Sequence, residues 1–220
     1  MTFKRARSEP QIQERIQDII NAASEIYNDL GYEGLNFSAI SEYTKFTRPN
    51  IYKYFKTKDE ILLEILKEDM ASWITCLSNS FKLNKLYSLE EISEIWVNNL
   101  SEHSRLLELY SFLFTTIEKN VSVEALAKFK QDTIPTYQVQ LLTLVEQLFP
   151  TATQASLYDF IVAQMTLAFG LYPMCQLNDL QLQAIELSGI NYVAPDFKKS
   201  YKLYVYQLMY CLENRIELKE

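Results

Sequence analysis

Apolar residues recur at intervals of three and four positions along most of the chain, and this spacing is the strongest constraint on the fold. The first such series comprises Ile12, Ile16, Ile19, Ala23, Ile26 and Leu30. Residues at this spacing share one face of an α-helix. The 220 residues include only four glycines and six prolines, which are few for an all-β protein and its many turns. The sequence therefore predicts an all-α fold.

Capping and turn residues set the expected helix boundaries. Pro10 suits the start of the first helix, Gly31 suits the position just after its end, and Thr47 suits the cap of a short third helix. The predicted segments are 11–30, 36–43, a short helix after Thr47, 57–80, 88–100, 102–118, 122–149, 153–172, 178–187 and 196–218. We expect Pro135 to kink or interrupt the long helix that Ser122 caps.

The predicted organisation has two parts. Residues 1–58 form an N-terminal three-helix domain, and residues 59–220 form a helical bundle. A long fourth helix, opened by a capping box of Thr57 and Glu60, joins the two parts. No flexible linker is expected between them.

Charge is distributed unevenly over these two parts. The chain has a net charge of −7, but residues 1–58 contain nine Lys and Arg against seven Asp and Glu. Residues 59–220 contain twelve against twenty-one. A weakly basic segment on an acidic body is typical of a local DNA-binding face, although many acidic proteins bind no nucleic acid.

Other patterns limit the compartment. The basic start of the chain leads into no apolar run, so a secretory signal is not expected. No stretch of 18 apolar residues is present, which indicates that no segment spans a membrane. The three widely spaced cysteines, Cys76, Cys175 and Cys211, suit reduced, packed thiols. These features predict a cytoplasmic protein.

Residues 36–56 have the pattern of a helix-turn-helix, in which two short helices share an apolar seam. The predicted seam comprises Phe37, Ile40, Tyr43, Phe46, Ile51 and Phe55. Arg48, Asn50 and Lys53 would then point outward, flanked by Tyr52, Tyr54 and Lys56. Such side chains bind base edges and phosphates of DNA. An ordinary solvated polar face explains this spacing equally well.

The same region resembles a known family. The matching runs are Ile20–Ala23, Gly31–Tyr32, Asn36–Ser41 and Thr47–Leu62. Together they resemble the N-terminal domain of the tetracycline-repressor-like (TetR/AcrR) transcriptional regulators, and the run from Ile51 to Leu62 is the most specific part. The resemblance covers about residues 10–65 and contains no information about a ligand.

The resemblance implies a ligand-responsive repressor that binds a palindromic operator as a homodimer. It also implies a small-molecule effector in the C-terminal bundle. By position, the implied DNA-binding residues are Ser38, Thr47, Arg48, Asn50, Tyr52, Lys53, Tyr54 and Lys58. Of these, Lys58 matches the family's phosphate-contacting lysine. Lys4, Arg5 and Arg7 would form either a flexible arm on DNA or a solvated tail.

Two residues depart from the family pattern. Lys45 stands in the turn where glycine is usual, and a left-handed backbone there would cost about 1 kcal/mol. Pro49 removes a backbone N–H that could bind phosphate. These departures motivate an alternative hypothesis, an all-α ligand- or protein-binding module with a degenerate DNA-binding head.

The predicted bundle is rich in large aromatic residues, which suit either the walls of a ligand cavity or plain core packing. The candidate effector-binding residues are Trp73, Trp96, Tyr110, Phe114, Tyr137, Gln138, Gln164 and Phe169. No cluster has metal-ligand spacing, and no metal or cofactor is predicted. His103 is the only histidine, and no Gly-rich phosphate loop, nucleophile elbow or paired carboxylates are found, so no catalytic residues are predicted.

The helices near 153–172 and 196–218 are the expected dimer face, because in the family two such helices pair with those of a second subunit. The residues expected to form it are Leu157, Phe160, Ile161, Gln164, Met165, Ala168, Phe169, Tyr201, Tyr204, Val205, Leu208, Met209 and Leu212.

Overall fold

A computed structural model describes residues 9–82 and 85–216, and within these ranges the chain is helical and has no strands. The helices are α1 (Glu9–Gly34), α2 (Phe37–Tyr43), α3 (Arg48–Ile51), α4 (Lys58–Ser80), α5 (Leu89–Ser101), α6 (Ser104–Ser111), α7 (Val123–Leu148), α8 (Gln154–Cys175), α9 (Asp179–Ser188) and α10 (Phe197–Glu213). A 3-10 turn, Ile117–Asn120, lies between α6 and α7. The all-α prediction is confirmed.

Local side-chain hydrogen bonds explain several of these helix starts. Ser88 and Glu91 form a capping box at the start of α5, in which each side chain receives the other residue's backbone N–H. The predicted box at α4 is altered. The Glu60 N–H donates to Thr57 Oγ1 at 3.2 Å, but the Glu60 carboxylate receives the N–H of Lys56, one residue earlier than expected.

The end of α1 depends on two glycines. Gly31 has a φ of 66°, so the regular helix breaks there as predicted, and one further turn continues to Gly34. A Cβ atom at position 34 would lie 2.3 Å from the Cβ of Leu30. Gly34 therefore has no room for a side chain.

The predicted helix over residues 102–118 is wrong beyond Ser111. The helix ends there, and the Ser111 hydroxyl donates to the Glu108 carbonyl at 2.6 Å. Residues 112–116 form turns, and the Glu118 N–H reaches back to the Leu113 carbonyl at 2.9 Å. Serine competes with backbone hydrogen bonding in this way, which weakens a helix end.

The later helices differ from the prediction in length. Pro135 lies inside α7 without ending it, and α8 continues to Cys175 through Pro173. The last helix ends at Glu213 instead of near 218, because the chain turns at Asn214 and Arg215 takes a φ of 51°. The short helix predicted at 178–187 is present as α9, capped by Asn178 and Gln181.

The described residues form two compact units. The N-terminal unit comprises the described residues up to Glu68 together with Leu113–Gln131, and the C-terminal unit comprises Asp69–Phe112 together with the described residues from Asp132 onward. In the C-terminal unit, α10 packs against α5 and α8, and α6 packs against α8.

Helix length and hydropathy give no single membrane-spanning candidate in the described ranges. Only α8 and α9 taken together reach the required length and apolarity, and the two are bent by 66° at their junction.

Candidate functional site

Helices α2 and α3 of the N-terminal unit pack around an apolar seam. Asn36 caps α2 by accepting the backbone N–H groups of Ser38 and Ala39, each at 3.0 Å. The buried seam consists of Phe37, Ile40, Phe46, Ile51 and Phe55, as predicted from their spacing. Tyr43 does not belong to it, because its side chain is 55% exposed.

The turn between α2 and α3 is held by side-chain hydroxyls. Thr44 Oγ1 donates to the Ile40 carbonyl at 2.8 Å and accepts the Phe46 N–H at 3.2 Å. Ser41 donates to the Phe46 carbonyl at 3.0 Å. Among the described non-glycine residues, only Arg215 has a positive φ. The cost expected for Lys45 is therefore absent, since its backbone never enters the left-handed region.

Polar side chains cover the outer side of α3. The guanidinium of Arg48 donates to Ser38 Oγ at 3.0 Å, which joins the two helices at the surface. Lys53 Nζ donates to Asn50 Oδ1 at 2.9 Å. These four predicted residues thus form two hydrogen-bonded pairs around α3, Arg48 with Ser38 and Lys53 with Asn50, while the side chain of Ile51 is buried.

The remaining residues predicted around α3 lie at its two ends. Thr47 is exposed and stands at the N-cap position, but its side chain makes no capping hydrogen bond. Pro49 fits the first turn, where no N–H is required. The exposed ring of Tyr52 meets the edge of Phe37 at a centroid distance of 4.6 Å, and Tyr54 is half-buried.

Lys58 is held by a residue that sequence reasoning did not single out. Its ammonium group donates to the Tyr32 carbonyl at 2.6 Å and lies 3.7 Å from the centre of the Tyr32 ring. The Tyr32 hydroxyl donates to Asp59 Oδ1 at 2.9 Å. The match of Gly31–Tyr32 to the family pattern was the available signal for this role.

Burial controls the ionisation of the two acidic groups beside Lys58. Partial burial and the hydrogen bond to Asp59 raise the pKa of Tyr32 to about 12. Burial also raises the pKa of Asp59, although the bond from Tyr32 and the charge of Lys58 act in the opposite direction. Lys58 itself is half-buried. The basic residues Lys4, Arg5 and Arg7 lie outside the described residues.

Several predicted effector-binding residues meet in the core of the C-terminal unit. Trp73 and Trp96 are both fully buried, and their rings form an edge contact with centroids 6.4 Å apart. Gln164 Oε1 accepts the indole N–H of Trp96 at 3.2 Å and the hydroxyl of Tyr201 at 2.6 Å. Tyr201 was not among the predicted effector-binding residues, since its spacing on α10 indicated a dimer contact.

The other predicted effector-binding residues are placed differently. Tyr110 and Phe169 stack with their ring centroids 3.8 Å apart, Tyr137 is buried and Gln138 is half-buried. Phe114 is 58% exposed and belongs to the N-terminal unit. It was predicted to lie within the helix over 102–118, but α6 ends at Ser111 and Phe114 lies in the turns that follow.

The stripe expected at the dimer face is largely buried within the single chain. The buried members are Leu157, Phe160, Ile161, Gln164, Ala168, Phe169, Tyr201, Val205, Met209 and Leu212. The prediction for these residues is wrong, because α10 packs on α5 and α8 within the single chain, and Phe160 and Gln164 of α8 contact Trp96 of α5. The opposite sides expose Tyr158 and Val162 on α8, and Leu203 and Tyr210 on α10.

No group of three or more His, Cys, Asp or Glu side chains suits a metal ion within the described ranges. Cys76 is exposed, contrary to the expectation of packed thiols, whereas Cys175 and Cys211 are half-buried. All three thiols are free. Burial raises the pKa of the Cys175 thiol, which favours its neutral form.

Two family models match the chain, and together they span most of it. Residues 19–65 match the model described as bacterial regulatory proteins of the tetR family, and residues 67–213 match the tetracyclin repressor-like C-terminal domain.

Two relatives that match parts of the chain are also regulators by name. A fatty acid metabolism regulator protein of Bacillus subtilis is 30% identical over 42% of this chain and 45% of its own length. The HTH-type transcriptional regulator QacR of Staphylococcus aureus is 26% identical over 55% of this chain and 65% of its own. The matched segments thus span less than two thirds of either relative.

Among the solved structures with the same fold, one aligns with most of this chain. The transcriptional regulator SCO7222 of Streptomyces coelicolor, a TetR, aligns with 92% of this chain and 99% of its own, at a TM-score of 0.59 and 14% identity. The matched family models, the helical fold and the helix-turn-helix geometry agree, and the chain belongs to the TetR family of bacterial regulatory proteins.

Proposed function

We propose that this chain is a ligand-responsive DNA-binding transcriptional regulator, a repressor that binds a palindromic operator as a homodimer. The observation that carries the proposal is the polar surface on α3, where Arg48, Asn50 and Lys53 lie outside a buried seam. Guanidinium and amide side chains form bidentate hydrogen bonds to guanine and adenine in the major groove. Family membership supports this role for the same surface.

The proposed contacts divide into two classes. Arg48, Asn50 and Lys53 contact base edges, while Lys58, Thr47, Ser38, Tyr52 and Tyr54 contact phosphates. Arg48 and Lys53 now share hydrogen bonds with Ser38 and Asn50, and both cations are exposed. Because both side chains are already at the surface, they can give up these hydrogen bonds and bind DNA without a change in burial.

The alternative of a degenerate DNA-binding head was based on Lys45 and Pro49, and neither residue disturbs the local structure. Lys45 carries no left-handed strain, and Pro49 occupies a position at the start of α3 where proline is well tolerated. We propose no catalytic role, because regulators of this family are generally non-enzymatic. We place the protein in the cytoplasm, where a bacterial operator is found.

We propose that the second subunit covers the exposed sides of α8 and α10. Tyr158 and Val162 are four residues apart on α8, while Leu203 and Tyr210 are seven apart on α10, so each pair shares a helix face. A two-fold dimer through these faces would present two copies of α3 to two half-sites.

Response to an effector requires two states with different affinities for the ligand. A molecule that binds one state of the C-terminal unit more tightly shifts the population toward it, and the shift is limited by that difference in affinity. We propose that the shifted state no longer matches the spacing of the operator half-sites.

A gel-shift experiment with genomic fragments tests DNA binding. The double variant Arg48→Ala with Lys53→Ala is expected to lose fragment preference and to show a shallower salt dependence. The charge-matched control is Lys198→Ala with Lys199→Ala, which removes two exposed cations from α10. If the control loses as much preference as the test variant, binding does not depend on α3.

A further inference from the structure

The two tryptophans of the C-terminal unit differ in one respect. Both side chains are fully buried, but only Trp96 donates its indole N–H to a protein acceptor, Gln164. The Trp73 Nε1–H has no acceptor among the described residues. An unpaired buried donor costs about 1–3 kcal/mol, and such groups are rare in native proteins, so this one requires an explanation.

Two further buried polar atoms of this unit also lack a partner among the described residues. They are Asn99 Oδ1 on α5 and Thr133 Oγ1 on α7. Asn99 follows Trp96 by three residues on the same helix, and the Trp96 ring is the edge partner of Trp73. Each of these three atoms is neutral.

Among the described residues of this unit, none of the fully buried side chains is charged. The buried polar residues described there are Ser93, Asn99, Thr133 and Gln164, whereas the buried carboxylates Asp59 and Glu60 belong to the N-terminal unit. The half-buried Arg105 is already paired with Asp69 through two bonds of 2.8 and 2.6 Å. A charged ligand group entering this core would meet no free counter-charge and would pay a large desolvation cost.

We propose that the effector is an uncharged molecule with an apolar body and a hydrogen-bond acceptor, such as a carbonyl, that receives the Trp73 Nε1–H. The aromatic side chains around Trp73 and Trp96 take the apolar body. The proposal rests on the proposed function, since it names the chemical class of the ligand that the regulator senses.

Two matched substitutions test the unpaired donor without any ligand. Trp73→Phe and Trp96→Phe remove the same volume from equally buried sites, so their packing losses are alike. Trp96→Phe also removes the hydrogen bond to Gln164, whereas Trp73→Phe removes an N–H that has no partner among the described residues. We expect Trp96→Phe to melt several degrees below Trp73→Phe. Equal melting temperatures, or the reverse order, would show that the Trp73 N–H is satisfied.

A set of three probes with one apolar body tests the ligand class. Methyl dodecanoate is neutral and has a carbonyl, dodecanoate is an anion, and dodecyltrimethylammonium is a cation. Binding to the full-length protein is measured by calorimetry below the aggregation concentration of each probe. We expect the ester to bind at least tenfold more tightly than either ion, and its affinity to fall about tenfold in Trp73→Phe.

The outcomes separate this inference from the proposed function. Tighter binding of either ion, an ester affinity unchanged in Trp73→Phe, or no binding by any probe overturns the inference. Gel shifts with the genomic fragments decide the proposed function independently. If the protein binds DNA selectively but prefers an ionic probe, the proposed function stands and the proposed effector class is wrong.

Discussion

Glu60 Oε1 accepts a hydrogen bond from the Ser122 hydroxyl at 2.9 Å, which joins the first turn of α4 to the residue that precedes α7. The other carboxylate oxygen of Glu60 receives the backbone N–H of Lys56 at 2.6 Å. One buried carboxylate therefore fixes both the turn after α3 and the start of α7 within the N-terminal unit.

Ser122→Ala should destabilise the protein by about 1–2 kcal/mol, because it removes a helix cap and a donor to a buried carboxylate. The measurement is the free energy of unfolding in urea. Ser80→Ala is the control, since its exposed hydroxyl donates only to a carbonyl of its own helix. Equal effects of the two substitutions would mean that the Glu60 bond contributes nothing.

Two glycines should respond to alanine in opposite directions. Gly34→Ala is expected to cost about 1–3 kcal/mol, because the new Cβ overlaps that of Leu30. Gly170→Ala should stabilise by about 0.5–1 kcal/mol, since no atom lies within 4 Å of the new Cβ inside α8. Thermal unfolding measures both. A stabilising Gly34→Ala would contradict the packing at the end of α1.

Lys58 and Arg48 should differ in their effect on DNA recognition. Lys58→Gln should weaken binding by a similar factor for all sequences and lower the salt slope by about one, as expected for a phosphate contact. Arg48→Ala should cost about 1–3 kcal/mol for the preferred site and reduce preference among bases. Affinities for preferred and scrambled duplexes at several salt concentrations distinguish them. A loss of base preference in Lys58→Gln would mean that Lys58 contacts bases instead of phosphates.

Tyr32 should make stability depend on alkaline pH. Its pKa is about 12 in the folded chain and about 10 in an unfolded chain, so the folded state retains the proton over that range. Its contribution is therefore complete below pH 10 and is lost as the pH rises toward 12. The difference in unfolding free energy between wild type and Tyr32→Phe should shrink across this window. A constant difference would mean that Tyr32 ionises normally.

The exposed faces of α8 and α10 should control association. Val162→Glu with Leu203→Glu places charges in the proposed interface and should yield monomers by sedimentation, with weaker DNA binding. The control is Leu180→Glu with Leu187→Glu, which changes equally apolar, exposed positions on α9. If the variant on α8 and α10 stays dimeric, these faces do not form the dimer interface.

Short-range patterns predicted much of this molecule. Capping residues such as Ser122 act on their own helix starts, so the sequence contains all that their prediction needs. The buried seam of Ile40, Ile51 and Phe55 also follows from spacing alone. Apolar spacing was therefore enough to predict the buried face of a helix that packs against a single core.

Long-range packing explains the failures. Spacing shows that Tyr201 and Gln164 lie on apolar stripes, but it does not show whether a stripe faces its own subunit or another. Phe114 was misplaced because the helix predicted over 102–118 ends at Ser111, which leaves Phe114 in a turn. The bond from Lys58 to Tyr32 spans 26 positions and has no local signature.

Selection of duplexes from a random DNA pool by the purified full-length protein tests the central claim most directly. We predict enrichment of a palindromic sequence that binds at least about a thousandfold more tightly than competitor DNA, as specific regulators do. Arg48→Ala should reduce that ratio. A wild-type ratio near one would contradict the proposal that the α3 surface recognises an operator.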